Sequence, residues 1–306
     1  MSFFFGNGGM NGGMNGGMNG GMGGGSFALV LSGSLEAKPG GQPIITGARF
    51  PDPAFAPTLA AQLLVAEFAA AWWPKREDKA YALPPPFDPK IKGAEADLLR
   101  SQVTAVLDHM PLRGERLGEI IAQADAFDAW WLRLLGGGRA MATLVSAAIQ
   151  IGQMAGMYWK DVHKFPRPVQ VYPAIAPVLA TPPHASYPSN HSLQSHLIAR
   201  SAAEVFKMAG AAAAMPAEFL DEVAGRAAKN REVAGVHYPC DSVAGEELAE
   251  KLWPLLMPLP GFQAALKKAA DELGTLKAGG LPLAPAVTKT PAKSKTTKKA
   301  RKKGGP

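Results

Sequence analysis

From Pro57 onward, apolar residues recur every three or four positions. Leu59, Leu63, Leu64, Phe68 and Trp72 mark one face of a helix that Pro57 opens at a first-turn position and Pro74 stops. The same period predicts helices over Ala94–Met110, Leu117–Leu135, Ala140–Lys160, Ser189–Ala209, Pro216–Ala234 and Asp241–Leu256, with a short amphipathic helix over Phe262–Leu276. Gly136–Gly138 and Pro254 read as breakers, and Leu83–Pro89, with three consecutive prolines, as a loop. No stretch alternates apolar and polar residues over strand length, so the expected fold class is all-α, a helical bundle. Five tryptophans, Trp72, Trp73, Trp130, Trp131 and Trp159, fall at helical positions and are expected in its core.

The flanks follow a different pattern. An Asn-Gly-Gly-Met repeat fills residues 7–22, and glycine at that density cannot repay its ordering entropy, so residues 1–25 are expected to be disordered. Residues 26–57 read as an extended wrap on the surface of a domain covering 26–276. Beyond it, 277–306 turns into Pro, Ala, Thr and Lys and is expected to be a disordered tail.

Composition refines this picture in three ways. The chain has 306 residues, 47% of them apolar, enough to bury a substantial core. Its net charge of +7 comes from the tail, since residues 281–306 hold eight Lys or Arg and no acid, leaving the rest close to neutral. Weak contact of this tail with anionic surfaces is the most such a charge run implies, and no sequence-reading nucleic-acid module accompanies it. Cys240 is the only cysteine, which excludes an internal disulfide and a thiolate zinc cluster and permits a reducing compartment. The N-terminal stretch lacks a cationic region followed by an apolar one, so no secretory signal is expected and the reading is cytoplasmic. Met141–Trp159 is uncharged over a length that approaches a membrane span, but it contains Ser146, Gln150 and Gln153, and is read as a buried core helix.

Candidate chemistry lies in three islands. Lys160, Arg167 and Pro168 form a Lys-x6-Arg-Pro spacing; Pro188, Ser189, Asn190 and His191 form Pro-Ser-Asn-His; Asn230, Arg231, His237 and Asp241 form Asn-Arg-x5-His-x3-Asp. Each cation alone is an ordinary surface residue. Together, three cations, a hydroxyl and two imidazoles are the equipment that holds a tetrahedral oxyanion and attacks its centre. Pro188 suits the first turn of a helix whose N–H groups at Ser189, Asn190 and His191 would cradle an anion. Pro239 suits the start of another, leaving His237 at a junction where Asp241 can fix its tautomer. His109, His163, His184 and His196 match no island; His163 and His184 fall in loops that could line an entrance. Cys240 reads as inert.

These islands resemble the tripartite signature of the type 2 phosphatidic acid phosphatase and vanadium-dependent haloperoxidase superfamily, which includes bacterial acid phosphatases. The resemblance covers residues 160–241, with two departures: Asn190 stands where that family usually has Gly, and Asn230 where it usually has Ser. A side chain at Asn190 is expected to narrow the anion cradle. The resemblance implies a helical bundle of the acid phosphatase and haloperoxidase type. It implies His237 as nucleophile, Asp241 as its orienting partner, and His191 as the acid that protonates the leaving oxygen. Lys160, Arg167, Ser189, Asn190 and Arg231 would bind the phosphate.

The function this supports first is a metal-independent phosphoric ester or diphosphate hydrolase working through phosphohistidine, with a phosphorylated small molecule or lipid-derived substrate and no cofactor. The alternative is a vanadium-dependent haloperoxidase holding vanadate in the same cage, with His237 as its ligand; the short chain favours the phosphatase. A third reading, from another class, is a non-catalytic scaffold that binds phosphate-containing ligands. A residual apolar helix face would allow a homo-oligomer.

Overall fold

The computed structural model describes residues 55–136 and 138–278. Expectations for the N-terminal repeat, the surface wrap up to residue 54 and the tail beyond 278 lie outside the described residues. Within them the chain is all-helical, and no strand occurs among the described residues.

In chain order the α-helices are α1 Pro57–Trp72, α2 Ala94–His109, α3 Arg113–Asp125, α4 Phe127–Leu135, α5 Arg139–His163, α6 Pro168–Val171, α7 Asn190–Met208, α8 Ala217–Val233, α9 Pro239–Leu256 and α10 Pro260–Ala278. Helix α7 is the axle: α5, α8, α9 and α10 all pack against it, and α1 lies on the far side of α5. Leu193, Leu197, Ile198, Ala202, Val205 and Phe206 bury its apolar face, and Leu144, Ile151 and Ala155 do the same for α5. Trp72, Trp131 and Trp159 are in this core, whereas Trp73 is 48% exposed and carries the Arg76 guanidinium over its ring.

Three elements differ from the sequence reading. Leu117–Leu135 is not one helix: it breaks at Ala126, with neither Gly nor Pro at the bend. The side chains flanking the break are anchored on Asn230 and Arg231 for Gln123 and against His191 for Phe127, and Ala126 between them leaves helical geometry at φ −149°, ψ 66°. Pro254 does not break α9, which runs through it to Leu256. The carbonyl it leaves unbonded belongs to the exposed Glu250, where water can serve it. Pro188 lies outside α7 rather than in its first turn; Ser189 is the cap, its Oγ accepting from the Ser192 N–H at 3.3 Å, and Asn190 is the first helical residue.

Helices α5 and α7 approach closely because glycine allows it. A Cβ at Gly156 would stand 2.1 Å from Asn190 Oδ1. Among the described residues, Arg139–Val171 is the one helical stretch long and apolar enough to cross a membrane, and 67% of its apolar window is buried inside the bundle, so there is no clear transmembrane span.

Candidate active site

A full Schellman closure sets up the end of the site that carries His237. At the C-terminus of α8 the Val236 N–H donates to Arg231 O at 3.1 Å and the Gly235 N–H to Glu232 O at 2.9 Å, with Gly235 at φ 81°. A Cβ at Gly235 would also meet Arg113 Nη2 and Ile175 Cγ2, each at 2.7 Å. The chain therefore turns sharply inward, and α9 restarts two residues after His237 at Pro239. Arg113 pins this corner, donating to Val233 O, Ala176 O and Ile175 O. Nothing in the sequence pattern marked Arg113 for this.

His237 is 3% exposed. Its Nδ1 lies 2.9 Å from Asp241 Oδ2, and its Nε2 faces Arg167 Nη1 at 3.0 Å. A carboxylate behind Nδ1 and a guanidinium in front of Nε2 select the tautomer with the proton on Nδ1 and the lone pair on Nε2. Asp241 Oδ2 also accepts from the Ser186 hydroxyl and, at 2.9 Å, from the Tyr238 N–H. Burial pushes the Asp241 carboxyl up to about 6, and Ser186, the Tyr238 N–H, Lys160 and Arg167 oppose that rise, so it is ionised at neutral pH.

The three islands meet here. Arg167 Nη1 also donates to Val236 O at 2.6 Å, its Nε to His184 O at 2.9 Å, and its Nη2 reaches His184 Nδ1 at 3.0 Å. Lys160 Nζ donates to the carbonyls of Ala185, Ser186 and Pro188 at 2.9, 2.7 and 2.5 Å, an arrangement that needs all three hydrogens of an ammonium. Lys160 thus clamps the loop that leads into α7, and in this structure its charge reaches the site across that loop. The Ser189 N–H is committed to Asp241 O at 2.9 Å, which corrects its expected place in the anion cradle. Asn190 and His191 open α7 and keep N–H groups with no acceptor inside the helix.

Asn190 does not narrow the cradle. Its side chain points into α5, donating from Nδ2 to Gln153 Oε1 at 2.9 Å, and Gly156 supplies the room. Asn230 is fully buried and bonds sideways, donating to Gln123 Oε1 at 3.1 Å and accepting from Arg116 at 3.3 Å. Arg231 uses Nη2 on Ile120 O at 2.9 Å and Gln123 Oε1 at 3.0 Å, while its buried Nε has no partner. The same holds for His191 Nε2, whose ring stands edge-on to Phe127 with centroids 4.8 Å apart. With Asn190 Oδ1 these make three buried polar atoms without a partner at one site, costly unless a ligand or water meets them.

The cations shape the imidazoles. Burial, then Arg231, Arg167 and Lys160, push His191 well below the usual histidine range. Burial, then Arg167, Lys160, His191 and His184, do the same for His237. His184 is pushed down to about 4 by burial, Lys160 and Arg167. Arg167 and Arg231 fall to about 10 through burial and remain charged. Burial and the neighbouring Asp241 push the Cys240 thiol up, the opposite of an activated nucleophile.

Stability follows from these shifts. Each of these imidazoles stays neutral in the fold but protonates near 6.5 when unfolded, so its contribution is complete above 6.5 and is lost as pH falls. Asp241 acts oppositely between about 6 and 3.8, but one carboxyl against three imidazoles does not reverse the slope. Urea unfolding at pH 5 should therefore show a lower midpoint than at pH 7; equal midpoints would mean the rings are not buried neutral.

A cleft of about 540 Å³ opens beside this cluster, lined by Lys164, Phe165, Pro166, Arg167, Gln170 and His184 among others. Arg167 forms the wall between this cleft and His237, and at 1% exposure it closes that wall. Lys164 sits at the rim, beside Asp161 at 3.8 Å. Three residues of the site lay outside the motif reading: Ser186 on Asp241, His184 on Arg167, and Gln123 on Arg231. No cluster of three or more His, Cys, Asp or Glu side chains suited to a metal ion occurs among the described residues. No family model matches the chain, and no curated protein matches it in sequence.

Proposed function

We propose that this chain is a phosphoric ester hydrolase of the type 2 phosphatidic acid phosphatase kind, with the bundle type of that superfamily, working through a phosphohistidine. The observation that carries the reading is His237, oriented from behind by Asp241 at 2.9 Å and faced in front by Arg167 at 3.0 Å. In the reaction, Arg167 Nη1 turns from His237 Nε2 to the substrate, the freed Nε2 lone pair attacks phosphorus, the P–O bond to the alcohol breaks, and His191 gives its proton to the departing oxygen. His191 then takes a proton from water, the hydroxide attacks phosphorus, and the P–N bond breaks to release phosphate. Arg167, Arg231 and the N–H groups that open α7 face the equatorial oxygens, whose charge is the main thing such a site must stabilise.

Without substrate, burial first and three cations after it keep His191 neutral. A bound phosphate dianion offsets them and raises the ring toward the protonated form the first step needs. The active form is thus assembled by its substrate.

Vanadate, the cofactor of the alternative, would meet the same donors, Arg231 Nε and His191 Nε2, with His237 Nε2 behind it; when bound it would supply activation of peroxide. The chemistry is separated by assay. Purified protein in chelator should hydrolyse para-nitrophenyl phosphate and be inhibited by orthovanadate. No hydrolysis, with halogenation of monochlorodimedone dependent on vanadate and peroxide, would overturn the phosphatase reading.

A further inference from the structure

Gln123 lies on α3, outside all three islands, and is fully buried. A buried carboxamide is costly unless each end is satisfied, and here each is. Oε1 accepts from Asn230 Nδ2 at 3.1 Å and Arg231 Nη2 at 3.0 Å, and Nε2 donates to Glu119 Oε1 at 3.2 Å. Glu119 is in turn gripped by Arg226, whose Nε donates to both carboxylate oxygens at 3.0 and 2.8 Å. With the neighbouring Ile120 carbonyl, Gln123 ties down one end of the Arg231 guanidinium. The buried Nε, on the same edge of the guanidinium as Nη2, has no partner. The Gln123 backbone meanwhile faces the His191 ring, and the bend at Ala126 brings Phe127 onto that same ring.

We propose that Gln123 is a positioning residue of the oxyanion site, fixing the Arg231 fork beside His191 so that its unpartnered Nε meets the phosphoryl group. This rests on the phosphoryl-transfer reading. The charges facing His191 are Arg231 from α8, Arg167 from the loop before α6 and Lys160 from α5. Those around Gln123 are Arg231 and Glu119, with Arg226 on Glu119 and Arg116 on Asn230.

Two substitutions separate positioning from packing. Gln123→Met keeps length and helix preference and removes the acceptor. Gln123→Glu keeps the acceptor and adds a negative charge that competes with the substrate for Arg231. Inorganic phosphate binding by calorimetry and the pH profile of hydrolysis of an alkyl phosphate monoester, whose alcohol leaves only with an acid's help, are measured for both and for the unaltered protein. Gln123→Met should weaken phosphate binding and lower kcat/KM by about tenfold or more, the usual weight of a hydrogen bond to a charged group. Gln123→Glu should weaken phosphate binding and move the alkaline limb of the profile to higher pH, because the added carboxylate offsets Arg231 at His191. Unchanged phosphate affinity in folded Gln123→Met would overturn the proposal. So would an unmoved alkaline limb in Gln123→Glu, which decides the matter if the methionine variant does not fold. Absence of both binding and hydrolysis in the unaltered protein overturns the phosphoryl-transfer reading itself, and this inference with it.

Discussion

Alanine at His237 should lower phosphate-ester hydrolysis by a factor on the order of 10⁴ or more, because the nucleophile has no stand-in. Another imidazole beside it, His184, has its Nδ1 turned to Arg167, and Cys240 is held as a thiol. Alanine at His191 should act differently. With para-nitrophenyl phosphate the leaving group departs without an acid, so a burst of nitrophenolate close to one per protein should precede a slow phase limited by water attack. The protein trapped in that phase should carry phosphate that is stable in base and lost in acid, as expected of a phosphorylated imidazole. Hydrolysis surviving at a substantial rate in clean His237→Ala protein would eliminate the covalent mechanism. An acid-stable label in the His191→Ala protein would move the nucleophile to a hydroxyl.

The helices were legible because their signals are local. Apolar spacing in α1, proline at the start of α1 and α9, and glycine after α8 act within a few residues of where they are read, although Leu59 and Leu63, read onto the face of Leu64, Phe68 and Trp72, are exposed. The bend at Ala126 was not legible, because neither Gly nor Pro marks it and the partners of the residues beside it, Arg231 and His191, lie more than sixty residues away. Likewise, Pro254 reads as a stop only while its exposure is unknown. The motif residues were found because their spacing is fixed along the chain, and the structure brings Arg167, His191, His237 and Asp241 into one buried cluster. What spacing could not show is which partner each group takes. Lys160 is spent on three carbonyls and the Ser189 N–H on Asp241 O, while Asn190 turns into α5, where Gly156 makes room. Gln123, Ser186 and His184 are common residue types that gain meaning only from what they touch.

Asparagine at Asp241 should reduce kcat on the order of 10³- to 10⁴-fold while leaving KM within a few-fold, because residue 241 acts on His237 rather than on substrate. Its Oδ2 accepts from three donors: the Ser186 hydroxyl, the Tyr238 N–H and His237 Nδ1. A carboxamide can place its oxygen there and keep that geometry, but it removes the negative charge that stabilises the imidazole as it becomes cationic on phosphorylation. Turned the other way, its amide donates to Nδ1, driving the proton to Nε2 and blocking attack. Either orientation costs rate, and the pH profile tells this from a packing defect. In the unaltered protein the carboxyl protonates at about 6, so activity should fall as pH drops through that value. In Asp241→Asn that acid limb should vanish with the group that causes it. A variant that lost activity while keeping the limb near 6 would assign the limb to another group and remove Asp241 from the mechanism.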